Sequence, residues 1–167
     1  ASYAPGTDTF IDTLARYNRS SVVYNVAVGG TRSCQWSEAP WNLRMTAAFA
    51  FGENNTDYIW LSIGGNDQKY EGYRECAYNA TTFEETRACV VTNAIRSAEC
   101  QAHMVNLLFD VDSHAKVIYS GYDFSCESDD CMPVERYPIC GMDFECYQVL
   151  NTLFQDIIRQ NVTARLP

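Results

Sequence analysis

The sequence predicts an α/β domain in which a parallel sheet lies between two layers of helices, a three-layer α/β/α arrangement. Three observations predict it. Segments with helical spacing alternate with short, almost continuously apolar runs rich in β-branched residues. Two of those three runs stop at a glycine pair, as strands entering a turn do. No repeat, low-complexity tract or linker divides the chain, and its 167 residues suit one core better than two, so residues 1–167 read as a single domain.

Each element follows from its own pattern. Over residues 8–17, Phe10, Ile11, Leu14 and Tyr17 recur at helical spacing, with Asp8 or Thr9 as the N-cap. Ser21 to Val28 reads as a strand buried on both faces, ended by Gly29-Gly30. A loop holding Cys34 and Trp36 passes Pro40 into a short helix around 41–51. Thr56 to Ile63 is the second strand, stopped by Gly64-Gly65-Asn66-Asp67. From about Thr82 to Val111 comes a long helix, in which Val90, Ala94, Ala98, Ala102 and Val105 repeat every three or four residues. Ala115 to Tyr122 is the third strand, residues 123–141 a cysteine-rich loop, and Phe144 to Gln160 a closing helix whose apolar side includes Leu150, Leu153, Phe154 and Ile157. Helix and strand in strict alternation imply a parallel sheet with covering helices.

Composition narrows the class of protein. Hydrophobic residues make up 47% and aromatics 13%, which is globular rather than disordered. The net charge of −9, with Lys and Arg scattered, leaves no basic stripe to neutralise phosphates and excludes nucleic acid as a partner. No run approaches the ~20 apolar residues of a membrane span. Nothing in the sequence calls for a cofactor. The opening Ala1-Ser-Tyr-Ala-Pro-Gly6 is no leader peptide, so the chain reads as mature material or a piece of it.

Eight cysteines (Cys34, Cys76, Cys89, Cys100, Cys126, Cys131, Cys140 and Cys146) mean either disulfides or metal ligands. No C-x-x-C and no neighbouring histidine supports zinc. Four N-x-[ST] sequons, at Asn18, Asn54, Asn79 and Asn161, decide for a secreted, disulfide-bonded and N-glycosylated protein. Cys89 and Cys100 lie about 16 Å apart along an unbroken helix, at ~1.5 Å per residue, so each must reach a different partner. Local bridges, Cys126 to Cys131 and Cys140 to Cys146, are the expected short-range pairs.

Chemistry in an open parallel sheet collects outside the carboxyl ends of the strands, where both glycine pairs stand. Backbone N–H groups at such turns approach a ligand closely, and Asn66 adds an amide donor, so the two turns together suggest an oxyanion hole. Here Tyr24-Asn-Val-Ala-Val-Gly29-Gly30-Thr31 resembles the second conserved block of the SGNH/GDSL hydrolases, and Gly64-Gly65-Asn66-Asp67 resembles their third, G-x-N-D, block. Thr9 to Asn18 is similar to the helix that precedes block two in plant and fungal members. The resemblance implies the family's flavodoxin-like three-layer fold, Gly30 and Asn66 as oxyanion donors, Asp67 as the residue that orients the loop, and an ester or carbohydrate ester as substrate.

The same resemblance exposes what is missing. No G-D-S block with the nucleophilic serine and no D-x-x-H block occurs in the chain. His103, inside the long helix, and His114, at the amino end of the third strand, read as surface or packing residues; Ser33 and Ser120 lie nearer the right edge but lack a base. The family's first strand, which sits between the second and third, is also absent. The domain is therefore expected to lack its first strand and its C-terminal segment, both supplied by a companion polypeptide or by chain beyond this sequence. Three readings follow. One is part of a secreted ester hydrolase acting by serine acylation. Another is an inactive relative serving as an extracellular scaffold or carbohydrate-binding module. The last is an unrelated doubly wound binding domain. The aromatics Trp36, Trp41, Tyr70 and Tyr73 follow the glycine turns and are candidates for stacking on a sugar or acyl chain, or for plain core packing.

Overall fold

The computed structural model describes residues 28, 30–51, 58–111, 113–120, 138–141 and 143–165. In chain order they form a single-turn helix α1 (Ser33–Trp36), α2 (Trp41–Phe51) and strand β1 (Tyr58–Ser62). Next comes a continuous helical run over 65–79, here α3, built of an α-turn (Gly65–Asp67), a π-helical stretch (Gln68–Glu75) and a second α-turn (Cys76–Asn79). Helix α4 (Phe83–Val111), strand β2 (Lys116–Ser120), a 3-10 turn (Pro138–Cys140) and helix α5 (Phe144–Ala164) complete the order.

The two long helices start where their caps say they should. Glu85 N–H donates to Thr82 Oγ1 at 3.2 Å while Thr82 N–H donates to Glu85 Oε2 at 3.1 Å, a reciprocal capping box ahead of α4. Asp143 caps α5 by accepting from Cys146 N–H at 3.1 Å. Their apolar stripes then face one another. Val90, Ala94 and Ala98 of α4 pack with Tyr147, Leu150, Phe154 and Ile158 of α5, and Tyr73 and Cys76 of α3 close the cluster. Leu150 and Phe154 are fully buried, each contributing roughly 1.5–3 kcal/mol of transfer free energy. Gly72 sits against the Phe154 ring so tightly that a Cβ there would meet it at 3.2 Å. A second cluster, with Trp36, Met45, Ile63, Met104 and Leu108 at its centre, lies between α1, α2, α4 and the inner face of the strands.

The sequence-predicted three-layer α/β/α sheet is not what these residues build. Helix takes 74% of the described residues, and the strands are two, short and parallel. They pair in register from Tyr58 with Lys116 to Ser62 with Ser120. The expected strands over 56–63 and 115–122 thus form, each five residues long, while the one expected over 21–28 lies outside the described residues except for Val28, as does the helix expected over 8–17. Strand β1 alternates exposed and half-buried positions instead of being covered on both sides, with Tyr58 and Trp60 in solvent and Ile59 and Leu61 turned to the second cluster. The physical reason is where the apolar surface goes: the broad stripes of α4 and α5 bury each other, and the two strands among the described residues offer too little face to serve as the central layer. Helix α1 falls in the loop expected to hold Cys34 and Trp36, and α3 begins in the turn expected at 64–67 and runs on through residues for which the sequence predicts no element.

Three disulfides fasten this frame: Cys34 to Cys100, Cys76 to Cys89 and Cys140 to Cys146. Cys89 and Cys100 do reach to different partners, one to α3 and one to α1. Cys126 and Cys131 lie outside the described residues.

Candidate functional site

The two glycine turns come together. Gly64, with φ +117°, turns the chain out of β1 into α3, a left-handed conformation open to glycine at little cost. Its missing Cβ also leaves room for Gln101, whose Nε2 would stand 3.3 Å from it. Gly30, with φ +83°, makes the matching turn ahead of α1 and is exposed. Asn66, at the start of α3, donates its Nδ2–H to the Thr31 carbonyl at 3.1 Å, joining turns 35 residues apart. Thr31 is held in its own right: its hydroxyl donates to the Val28 carbonyl at 2.8 Å and accepts from Trp36 Nε1–H at 2.8 Å.

Behind this junction Asp67 is fully buried. Its carboxylate accepts the Ser33 N–H with both oxygens, at 3.0 and 3.1 Å, and the Ser33 hydroxyl with one. The single Ser33 hydroxyl proton therefore points at Asp67, and the neighbouring Ser97 hydroxyl, 3.2 Å away, donates to Ser33. Gln101 Nε2–H donates to Ser97 at 3.3 Å, and the Tyr119 hydroxyl donates to Gln101 Oε1. The result is a buried chain of donors, Tyr119 to Gln101 to Ser97 to Ser33, ending on a carboxylate, in which each bond polarises the next. Burial, helped by the Asp67 charge, pushes the Tyr119 hydroxyl well above its ordinary pKa and keeps it a donor.

A second polar group supports the same turns. Glu71, one helical turn after Asp67 and buried, forms ion pairs with Arg32 at 3.4 Å and with Arg96 at 3.3 Å; Arg96 also lies 3.7 Å from Glu75. Burial holds the Glu71 carboxyl above the usual carboxylate range. Arg96 works against that, the Asp67 charge adds to it, and Arg32 opposes it more weakly. The Glu71 carbonyl accepts from Asn93 Nδ2–H at 2.7 Å. The Cys34 to Cys100 bridge pins α1 to α4 one residue from Ser33.

Of the residues singled out from sequence, Gly30, Asn66 and Asp67 are thus brought to one place. Ser33 is there too, but fully buried and tied to a carboxylate, out of reach of a substrate. His103 is exposed on α4 and His114 is exposed in the turn before β2. The aromatics divide: Trp36 and Tyr73 are core, Trp41 packs on Trp36 with ring centroids 5.5 Å apart, and Tyr70 is exposed beside Lys69. Sequence reasoning missed Glu71, Asn93, Ser97, Gln101 and Tyr119. The signal for three of them was present: Asn93, Ser97 and Gln101 follow each other every four residues beside the apolar stripe of α4, a polar row on a buried face.

Chemically, the junction presents an exposed glycine turn beside an Asn amide. That amide has two N–H donors, of which the Thr31 carbonyl takes one. Among the described residues no group of three or more His, Cys, Asp or Glu is placed to hold a metal ion, and no helix is long and apolar enough to cross a membrane. The fold and site define a disulfide-stapled, mostly helical domain with two clamped glycine turns at the end of a short parallel ribbon, and its three bridges are compatible with an extracellular protein. No protein-family model, curated protein or solved structure matches the chain.

Proposed function

We propose that this chain is part of a secreted carboxylic-ester hydrolase of the SGNH/GDSL kind, in which Gly30 and Asn66 stabilise the oxyanion. The observation that supports the reading is the Asn66 to Thr31 bond, backed by the Asp67 clamp on Ser33, which holds Thr31, next to Gly30, against the Gly64–Asp67 turn. In the proposed reaction a serine on a companion polypeptide, or on chain beyond this sequence, attacks the ester carbonyl and passes its proton to a base. The carbonyl oxygen takes up negative charge, which the Gly30 N–H and the second Asn66 amide proton stabilise. Collapse of the tetrahedral intermediate expels the alcohol with a proton from that base, and water then releases the acid from the acyl-serine. An ester, or an ester on a carbohydrate, is the proposed substrate.

A second reading is favoured by a specific observation: Ser33 is fully buried with its hydroxyl donating to the Asp67 carboxylate, which leaves it unable to act as a nucleophile. On that reading the chain is an inactive glycoprotein serving as an extracellular scaffold or carbohydrate-binding module. Treating the native, unreduced protein with a fluorophosphonate probe and weighing every polypeptide separates the two. An adduct on a polypeptide outside these 167 residues supports the hydrolase. An adduct on Ser33 or Ser120 overturns the site assignment while keeping an enzyme. No adduct, and no companion chain, leaves the scaffold.

A further inference from the structure

Two of the four sequons fall on described residues, and the structure treats them differently. Asn79 is the last residue of α3, exposed, and followed by Ala80 in extended backbone (φ −111°, ψ 140°). The Cys76 to Cys89 bridge closes the turn that carries it. Its neighbour Tyr78 is 80% exposed, the most exposed large hydrophobic side chain among the described residues. Asn161 instead lies within α5, where its Nδ2–H donates to the Ile157 carbonyl at 2.8 Å, and the next residue, Val162, is core. Both sequon threonines are committed, the Thr163 hydroxyl donating to the Arg159 carbonyl at 2.7 Å and the Thr81 hydroxyl to Glu85 Oε2 at 2.8 Å, so the difference lies in the asparagines and their backbone.

N-glycosylation joins a sugar to the Asn amide nitrogen with the Ser or Thr two residues on held beside it. In the folded protein a helix keeps residues i and i+2 on different faces. The extended Ala80 breaks the helical offset between Asn79 and Thr81, whereas Asn161 to Thr163 is helical throughout. A glycan on Asn79 extends into solvent and covers part of Tyr78; one on Asn161 has to leave from a half-buried side chain next to the core. We propose that Asn79 carries an N-linked glycan in the secreted protein and that Asn161 does not. The inference is independent of the proposed reaction. Asn79 also stands at the far end of α3 from Asn66, about 20 Å at ~1.5 Å per residue, so the sugar leaves the glycine turns open.

The test is site mapping on the full chain secreted by a eukaryotic cell. Peptide N-glycosidase in heavy-oxygen water converts each glycosylated Asn to labelled Asp, which peptide mass spectrometry reads. Labelled Asp at position 79 and unmodified Asn at 161 is the expected result, and Asn79→Gln then lowers the intact mass by one glycan. Unmodified Asn79, or a label at Asn161, overturns the proposal.

Discussion

Asp67→Asn is the sharpest perturbation of the site, because it replaces one carboxylate oxygen with an amide nitrogen and leaves the shape. In the native protein both carboxylate oxygens accept the Ser33 N–H, at 3.0 and 3.1 Å, and one also accepts the Ser33 hydroxyl, with nothing reached by solvent. An Asn keeps one acceptor there. Its amide nitrogen replaces the other and confronts the Ser33 N–H, donor against donor. Bonds to a charged acceptor contribute about 1.5–3 kcal/mol, and a buried group left unpaired costs about 1–3 kcal/mol. One weakened set and one opposed contact come to about 2 kcal/mol, or about 4–8 °C in Tm for a domain of this size. Asp67→Ala strands both Ser33 groups and is expected to cost about 4 kcal/mol. Urea unfolding of the disulfide-intact protein at neutral pH measures it, with the slope of the transition unchanged. An Asp67→Asn midpoint within about 0.5 kcal/mol of wild type, the level of an ordinary surface change, refutes the clamp.

Other outcomes follow from the same geometry. Because burial raises the Glu71 pKa above its ordinary 4.5, the folded state holds that proton more tightly than the unfolded chain does. Its contribution to stability is full below about pH 4.5 and is lost as pH rises through the folded value. Glu71→Gln removes that slope from a series of urea midpoints against pH, and parallel profiles for the two proteins contradict the assignment. Gly72→Ala gains up to about 1 kcal/mol in an open helix, but a Cβ 3.2 Å from the Phe154 ring turns the gain into a net loss of about 1–2 kcal/mol by overpacking; calorimetry checks the sign. On the hydrolase reading, Asn66→Ala slows acylation by the fluorophosphonate about 10²–10³-fold while costing about 1 kcal/mol of stability, and an unchanged labelling rate removes Asn66 from the oxyanion hole.

How much was legible in advance depended on the range of the interaction. The stripe from Val90 to Val105, and that from Leu150 to Ile157, set two helices by local spacing alone, and helical rise sufficed to say that Cys89 and Cys100 could not bond each other. The β-branched and aromatic runs around Tyr58–Ser62 and Lys116–Ser120 marked both described strands. Helix α3 was hidden because glycines and short polar side chains at 64–67 and 72 argue locally for a turn, and it is the Phe154 ring against Gly72 and the burial of Asp67 that favour helix there. The layer order was misread for a related reason: alternation of helix and strand does not say which apolar faces meet, and here α4 and α5 bury each other instead of a sheet.

Sequence by itself determined a cysteine and sequon content compatible with an extracellular protein, and the presence of two glycine turns with an Asn amide between them. Only the tertiary structure decided what the other polar residues do. Ser33, a candidate nucleophile by position, becomes the donor to a buried carboxylate 34 residues away. Ser97, Gln101 and Tyr119 become a relay behind it. The cause is desolvation. A polar side chain in water has partners everywhere, and its place in the chain carries no preference. Once packing removes the water, each donor must find an acceptor among its spatial neighbours, and those neighbours are set by how the helices meet.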